Sequence, residues 1–213
     1  MKNHTTMALV LSWLAASAAA CSYSGEQVYV ESPSVMSDRA SQDGIAVGAK
    51  VYVDPAEAEK VFGLPIVFES RTATGTTRGY LPVLVSFANS TDDGLLVDKE
   101  RTRLISSDGQ RAKPRSWDRM YQTFEPSMAG AYVAAGVVGV VAQNEANKDM
   151  AADWKKKELP DRATIHPNSE GIGGFLYFKD KGGLAPYLLQ VVLERRSDGE
   201  RVVVSVPVDP ERS

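Results

Sequence analysis

The stretch Gly79-Tyr-Leu-Pro-Val-Leu-Val-Ser-Phe-Ala-Asn89 decides the fold class of this chain. Large apolar side chains recur at every second position from Leu81 to Phe87, which places them on one face of an extended strand. Asp92-Asp93-Gly94 follows and predicts a turn, because Asp and Gly tolerate the backbone angles that tight turns require. We therefore predict a long β-strand with one continuous apolar face, ending in a turn.

Shorter strands are predicted on both sides of this one. They are 45–53, 95–97, 103–105, 174–178, 187–193 and 201–206. The last two flank Ser197-Asp198-Gly199, which predicts a hairpin turn. Strands at short spacing without an alternating βαβ pattern favour antiparallel sheets packed face to face. We predict a mainly β fold, an antiparallel immunoglobulin-like sandwich over 45–213, although the Cys–Trp–Cys framework of antibody domains is absent.

Helices interrupt the strands at two places. Asp54 and Pro55 predict the start of a short helix, and Gly63 predicts its end. A larger helical insertion is predicted at about 115–160. Apolar residues there recur at helical spacing, and they are Trp117, Tyr121 and Phe124, then Ala146, Met150 and Trp154.

The segment 128–142 inside this insertion is uninterrupted small or apolar sequence. It is shorter than the roughly 17–25 residues of a membrane-spanning helix. Ala131, Ala135 and Gly139 lie four residues apart, and small residues let helices approach closely. The run resembles the glycine-zipper stretches of some envelope proteins. Two interpretations stay open: a helix buried against the sandwich, and a surface for self-association or shallow lipid insertion.

Residues 1–20 have the three parts of a secretory signal peptide. Lys2 supplies positive charge, Met7–Leu14 is an apolar run, and Ala15–Ala20 is a run of small residues. The apolar run is short for a membrane anchor, which needs about 20 such residues. We therefore predict that residues 1–20 are a cleaved signal.

The sole cysteine follows this signal directly. Ala18-Ala19-Ala20-Cys21 resembles the lipobox of bacterial envelope lipoproteins, although that family usually has Leu where Ala18 stands. The resemblance implies that Cys21 is the lipidation site, carrying diacylglycerol and a further acyl chain such as palmitate. Ser22 follows where Asp would imply retention at the inner membrane. The location implied is therefore the outer membrane, facing the periplasm.

The residues from Cys21 to position 44 are mostly polar. Such composition buries little apolar surface to offset the entropy of ordering. We predict that 21–44 is a flexible tether between the lipid and the globular domain. Val28-Tyr-Val30 is the exception, and it could pair as an edge strand.

Composition excludes several function classes. The chain has 213 residues, a net charge of -3, one cysteine and two histidines. Mild acidity argues against nucleic-acid binding, and one Cys forms no internal disulfide or Cys/His metal site. His166 is the only histidine outside the signal, and no Gly-x-Ser-x-Gly motif accompanies it. We predict no catalytic residues, no cofactor and no metal, and an envelope hydrolase has only His166 in its favour.

Two other patterns carry a functional alternative. Asn89, Thr91, Asp93, Gly94 and Glu100 resemble an EF-hand calcium loop in spacing, but the flanking segments are predicted strands rather than helices. A simple turn is the preferred interpretation of this loop.

The second pattern is basic. The segment 99–119 holds seven Lys or Arg side chains against three carboxylates, which are Glu100, Asp108 and Asp118. It could contact anionic headgroups, lipopolysaccharide or peptidoglycan, or it could be a solvated strand face. Lys155–Lys157 beside Trp154 could likewise lie at a membrane surface, or form an ordinary exposed helix face.

The sequence thus predicts a non-enzymatic, membrane-anchored envelope lipoprotein. Its partners would be the membrane, through the lipid, and a protein or cell-envelope component in the periplasm. The alternative is a self-assembling structural subunit that uses Ala131, Ala135 and Gly139.

Overall fold

A computed structural model describes residues 23–64, 70–72, 75–77, 79–124, 128–180 and 185–212. The predicted signal peptide and the predicted lipidation site Cys21 lie outside these residues. The strands, in chain order, are β1 (Asp38–Gln42), β2 (Ile45–Val51), β3 (Ser70–Thr72), β4 (Gly75–Thr77), β5 (Tyr80–Asn89), β6 (Leu95–Val97), β7 (Arg103–Ser106), β8 (Arg111–Ala112), β9 (Pro114–Arg115), β10 (Thr164–Ile165), β11 (Ser169–Lys179), β12 (Tyr187–Arg195) and β13 (Arg201–Val208). The helices are α1 (Pro55–Phe62), α2 (Trp117–Phe124) and α3 (Met128–Lys157).

Two antiparallel sheets form the body of the fold. The first has the order β1-β2-β5-β11-β9, and the second has the order β10-β6-β12-β7-β8 with β13 also paired to β12. β8 and β9 are separated by one residue but belong to different sheets, so the chain crosses from one sheet to the other there. The predicted β-sandwich is confirmed, and so is the hairpin between β12 and β13.

An inner core fills the space between the two sheets. The side chains that alternate along β5 from Leu81 to Phe87 all belong to it. The opposite sheet contributes the alternate residues of β13, from Val202 to Val208, while Arg201 and Val203 on its other face are exposed. The period-two pattern of the sequence therefore describes the inner core correctly.

A second apolar cluster, which we call the outer layer, covers the other face of the first sheet. Tyr80 and Leu84 of β5 and Phe175 and Tyr177 of β11 point into it. Helices α1, α2 and the C-terminal half of α3 supply the covering side chains, including Phe62, Met120, Met150 and Trp154. Since both faces of β5 are covered, its residues are almost all buried.

The helical insertion is confirmed, with α2 and α3 together spanning 117–157 inside the predicted 115–160. Asp54 caps α1 by accepting a hydrogen bond from the Ala56 backbone at 2.8 Å, and Gly63 ends that helix at a φ of 67°. The run 128–142 forms the first half of α3, and its side chains lie outside the described part of the chain. Packing at Ala131, Ala135 and Gly139 therefore stays a prediction. No helix among the described residues is long and apolar enough to span a bilayer.

The prediction of a flexible tether over 21–44 is wrong for the residues that the structure describes. β1 pairs with β2 in a regular register that runs from Asp38–Ala49 to Gln42–Ile45. Residues 23–36, which we call the N-terminal strap, lie against the outer layer. Tyr23, Val28 and Val30 pack on this layer, and their burial offsets part of the entropy lost when this otherwise polar segment is ordered.

Hydrogen bonds fix the strap along its length. The Glu26 backbone donates to the Lys60 carbonyl at 2.8 Å, and the Ser86 hydroxyl donates to the Glu31 carbonyl. Val28-Tyr-Val30 forms no strand. It is held by side-chain packing and not by pairing with a sheet edge.

The membrane-surface interpretation is corrected for Trp154 and for Lys157. Trp154 has no exposed surface, and its indole N–H donates to the Phe62 carbonyl at 3.0 Å. Lys157 forms an ion pair with Asp153 at 2.5 Å and lies over the Phe62 ring. Only Lys155 and Lys156 of this group are exposed.

Two adjacent glycines in β11 allow close packing at the centre of the first sheet. A Cβ atom on Gly173 would lie 1.9 Å from the Val85 carbonyl oxygen. A Cβ atom on Gly174 would lie 2.9 Å from the Leu159 backbone nitrogen, which donates to the Phe175 carbonyl. Glycine is therefore required at both positions.

Candidate functional site

The basic segment predicted from the sequence lines a cleft of about 600 Å³. Its walls come from the loop between β6 and β7, from β9 and the start of α2, and from the turn after α3. The charged side chains in the lining are Asp98, Lys99, Glu100, Lys113, Arg115, Arg119, Asp161, Arg162 and Glu194. The fold thus brings the 99–119 segment together with a second segment some forty residues further along the chain.

Lys99 is buried and is fully used by the protein. Its ammonium group donates to Glu158 at 2.8 Å, to the Leu159 carbonyl at 2.9 Å and to Asp161 at 2.9 Å. These three acceptors satisfy the three N–H groups of a lysine. Lys99 therefore ties the β6–β7 loop to the end of α3, and it is not available for a ligand.

The other charges near the cleft are partly paired. Arg101 bonds to Asp98 at 3.1 Å, and Lys113 lies 3.6 Å from Glu100. The Ser116 hydroxyl lowers the pKa of Asp118 by a hydrogen bond; burial opposes this effect, and the charge of Arg119 adds to it. Arg119 therefore interacts favourably with Asp118, its neighbour in α2.

Arg115 and Arg162 are different. Both guanidinium groups are exposed in the cleft lining, and neither forms an ion pair with a carboxylate of the described residues. The pairing of β9 with β11 holds the backbone of Arg115, where Arg115 is the partner of Tyr177. Arg162 follows Asp161 directly, and the bond from Lys99 to Asp161 helps to place it.

This arrangement suits an anionic ligand. A guanidinium presents parallel N–H donors that match a carboxylate or a phosphate. The lining also contains a hydroxyl, that of Ser116, which is hydrogen-bonded to Asp118. The segment 99–119 was predictable from its charge, but Asp161 and Arg162 carried no signal in the sequence.

The remaining predicted positions lie elsewhere. His166 is exposed in the turn between β10 and β11, where its backbone carbonyl accepts bonds from Asn89 at 3.2 Å and Ser169 at 2.5 Å. It is not part of the cleft lining.

The calcium-like loop is a structural turn. The Asn89 side-chain oxygen accepts bonds from the Thr91 backbone at 3.0 Å and the Thr91 hydroxyl at 2.7 Å. Asp93 accepts a bond from the Ser197 hydroxyl at 2.5 Å, which lowers the Asp93 pKa. Among the described residues no group of three or more His, Cys, Asp or Glu side chains could hold a metal ion. Glu100, the last position of the calcium pattern, lies in the cleft.

Comparisons with known proteins give little. No protein-family model and no curated protein matches this chain. A crystal structure of a candidate lipoprotein (ycdA) from Bacillus subtilis is similar over 79% of this chain, with 12% identity and a TM-score of 0.38. The match spans 38% of the length of that protein. At this TM-score the similarity supports no statement about fold or function.

Proposed function

We propose that this chain is a non-enzymatic lipoprotein of the bacterial envelope that binds an anionic envelope component in its cleft. The observation that carries the binding role is the pair of exposed guanidinium groups of Arg115 and Arg162, which have no carboxylate partner among the described residues. The anionic groups that fit are the carboxylates of peptidoglycan and the phosphates of lipopolysaccharide.

The charge balance of the cleft supports this proposal. Most of its carboxylates are used: Asp161 by Lys99, Asp98 by Arg101 and Glu100 by Lys113. With Glu194 as the fourth carboxylate, the lining holds five Lys or Arg side chains against four carboxylates, which is an excess of one positive charge. The volume of the cleft, about 600 Å³, lies within the range of ordinary ligand pockets.

The lipid anchor is supported by the sequence alone. Ala18-Ala19-Ala20-Cys21 follows an apolar run, and Cys21 is the only cysteine of the chain. Several acyl chains hold a protein durably on a bilayer, because each buried methylene contributes about 0.8 kcal/mol. Replacing Cys21 by Ser should move the protein from the membrane fraction to the soluble fraction. Retention of that variant in washed membranes would contradict lipid anchoring.

Binding is tested with two purified envelope polymers, peptidoglycan sacculi and lipopolysaccharide, and with the full mature chain. The double variant Arg115→Gln/Arg162→Gln should bind one of them at least roughly tenfold more weakly, because a hydrogen bond to a charged group contributes about 1.5–3 kcal/mol. Arg201→Gln is the matched control, since Arg201 is an exposed arginine of β13 outside the cleft lining.

The two polymers separate the two sources of negative charge. Weakened binding to sacculi alone would assign the cleft to carboxylates, and weakened binding to lipopolysaccharide alone would assign it to phosphates. Equal binding by the double variant and the Arg201 control would show that the cleft is not the binding site. Failure of the unaltered protein to bind either polymer would contradict the proposal that its ligand is an anionic envelope component.

A further inference from the structure

The N-terminal strap is fastened at its very first described residue. The Tyr23 hydroxyl donates to Asp153 of α3, and its ring lies against Gly63 at the end of α1. A Cβ atom on Gly63 would come within 2.6 Å of the Tyr23 ring. Burial raises the pKa of Tyr23, and the hydrogen bond to Asp153 raises it further. Tyr23 is therefore a fixed point on the surface formed by α1 and α3.

Among the residues that the structure describes, the strap carries two of the three exposed large apolar side chains. Among the described residues, the large apolar side chains that are exposed are Tyr29 at 81%, Val35 at 66% and Val203 at 43%. Tyr29 and Val35 both line a groove of about 350 Å³ along the strap. Val203 lies on the outer face of the second sheet, on the opposite side of the sandwich from the outer layer.

Exposed cations lie beside the strap. Lys60 is exposed, and its carbonyl accepts the Glu26 backbone N–H. Lys156 is exposed and lines a second groove with Val28 and Val30. An interfacial tyrosine with neighbouring lysines is a combination that suits the headgroup region of a bilayer.

Chain length connects these observations to the membrane. Only Ser22 stands between Cys21 and Tyr23, so the Cα atoms of Cys21 and Tyr23 are at most about 7 Å apart. We propose that the fixed position of Tyr23 keeps the lipid anchor close to the surface of the domain. The domain therefore rests on a phospholipid bilayer in one orientation, with the strap facing the lipid. Tyr29 and Val35 then enter the headgroup region. This proposal rests on the proposed lipidation of Cys21.

The test uses the full lipidated chain in vesicles of phosphatidylethanolamine and phosphatidylglycerol with brominated acyl chains, which quench tryptophan. Tyr29→Trp and Val203→Trp serve as matched reporters, because both positions are exposed and the native tryptophans are common to both. We expect the Tyr29→Trp reporter to be quenched roughly twofold more strongly, since interfacial side chains lie about 5–10 Å into the headgroup boundary. Equal quenching of the two reporters would overturn the proposal.

A spacer variant tests the role of Tyr23 separately. A flexible insertion of about ten Gly and Ser residues between Ser22 and Tyr23 should reduce quenching of the Tyr29→Trp reporter toward that of Val203→Trp. Unchanged quenching with the spacer would show that the short connection does not set the orientation. The mass of the N-terminal peptide distinguishes this failure from failure of the anchor itself: an unacylated Cys21 overturns the lipoprotein proposal and, with it, this one.

Discussion

The inner core and the outer layer cover opposite faces of the same sheet, but different contacts hold them together. The inner core is mostly aliphatic and is built from alternate residues of paired strands. The outer layer is mostly aromatic, and its side chains also bond to backbone: Trp154 to the Phe62 carbonyl at 3.0 Å, Tyr177 to the Trp154 carbonyl at 3.3 Å and Tyr80 to the Arg119 carbonyl at 3.3 Å. Most of the inner core lies on paired strands, whereas in the outer layer the Tyr177 and Tyr80 bonds link the sheet to the helices and the Trp154 bond links two helices to each other.

The largest effect is expected in the inner core. Phe87 has no exposed surface there, and Phe87→Ala should lower the free energy of unfolding by about 3–5 kcal/mol, because it leaves a cavity between the sheets. Urea denaturation followed by circular dichroism measures the loss. Phe124→Ala, at a partly buried position of the outer layer, is the control. An equal or larger loss of unfolding free energy in Phe124→Ala would contradict the larger contribution assigned to the inner core.

The next effect is expected at Lys99, which joins the two regions. Lys99→Met should cost about 3 kcal/mol, because it leaves the largely buried Glu158 without its cation. Thermal or urea unfolding measures this cost. Lys113→Met removes an exposed pair and should change stability by less than about 1 kcal/mol. If the two variants were equally stable, the Lys99 contacts would not be important for the fold.

Alkaline pH should affect the outer layer before the inner core. Burial, and then the charge of Glu57, raise the pKa of Tyr52 to about 12 from 10.0, and burial also raises the pKa values of Tyr23 and Tyr177. Above pH 10 these tyrosines lose their protons first in the unfolded chain. The stability that they contribute is therefore fully present below pH 10, and it falls as the pH rises toward about 12. Tryptophan fluorescence should change at lower pH than the β-sheet circular dichroism signal. Coincident changes, or an unchanged midpoint in Tyr52→Phe, would contradict this order.

A smaller effect is expected when one polar link of the outer layer is removed. Trp154→Phe keeps an aromatic ring but leaves the Phe62 carbonyl without its donor, at a cost of about 1–2 kcal/mol. Trp117→Phe, at a partly buried ring that packs on Tyr121, should cost less. Urea denaturation of the two variants gives the comparison, and a smaller loss at Trp154 would show that the indole hydrogen bond contributes little.

The sequence predicted the inner core because strand periodicity is a local property. Residues at every second position of β5 and β13 share a face whatever the rest of the chain does. The outer layer was less accessible. Tyr80 and Leu84 also alternate, but only the packing of distant helices shows that this second face is covered. Trp154 has correct helical spacing with Met150, yet its three following lysines suggested a surface position.

The N-terminal strap and the cleft show the same limit. The average composition of 21–44 could not reveal that three of its side chains pack on the outer layer. They are Tyr23, Val28 and Val30. In the cleft, the positive charge of 99–119 was visible in the sequence. The burial of Lys99 and the approach of Arg162 depend on where α3 ends, and no pattern near Lys99 encodes that.

Gly173 and Gly174 have a consequence for how this chain tolerates change. One touches the neighbouring strand and the other touches the residue that leads from α3 back to the sheet, so a single added methyl group would push apart parts that are distant in sequence. In a saturation mutagenesis library, these two positions should be as intolerant as the largest buried aromatics. A survey of natural variants that used hydrophobicity to locate the core would overlook both.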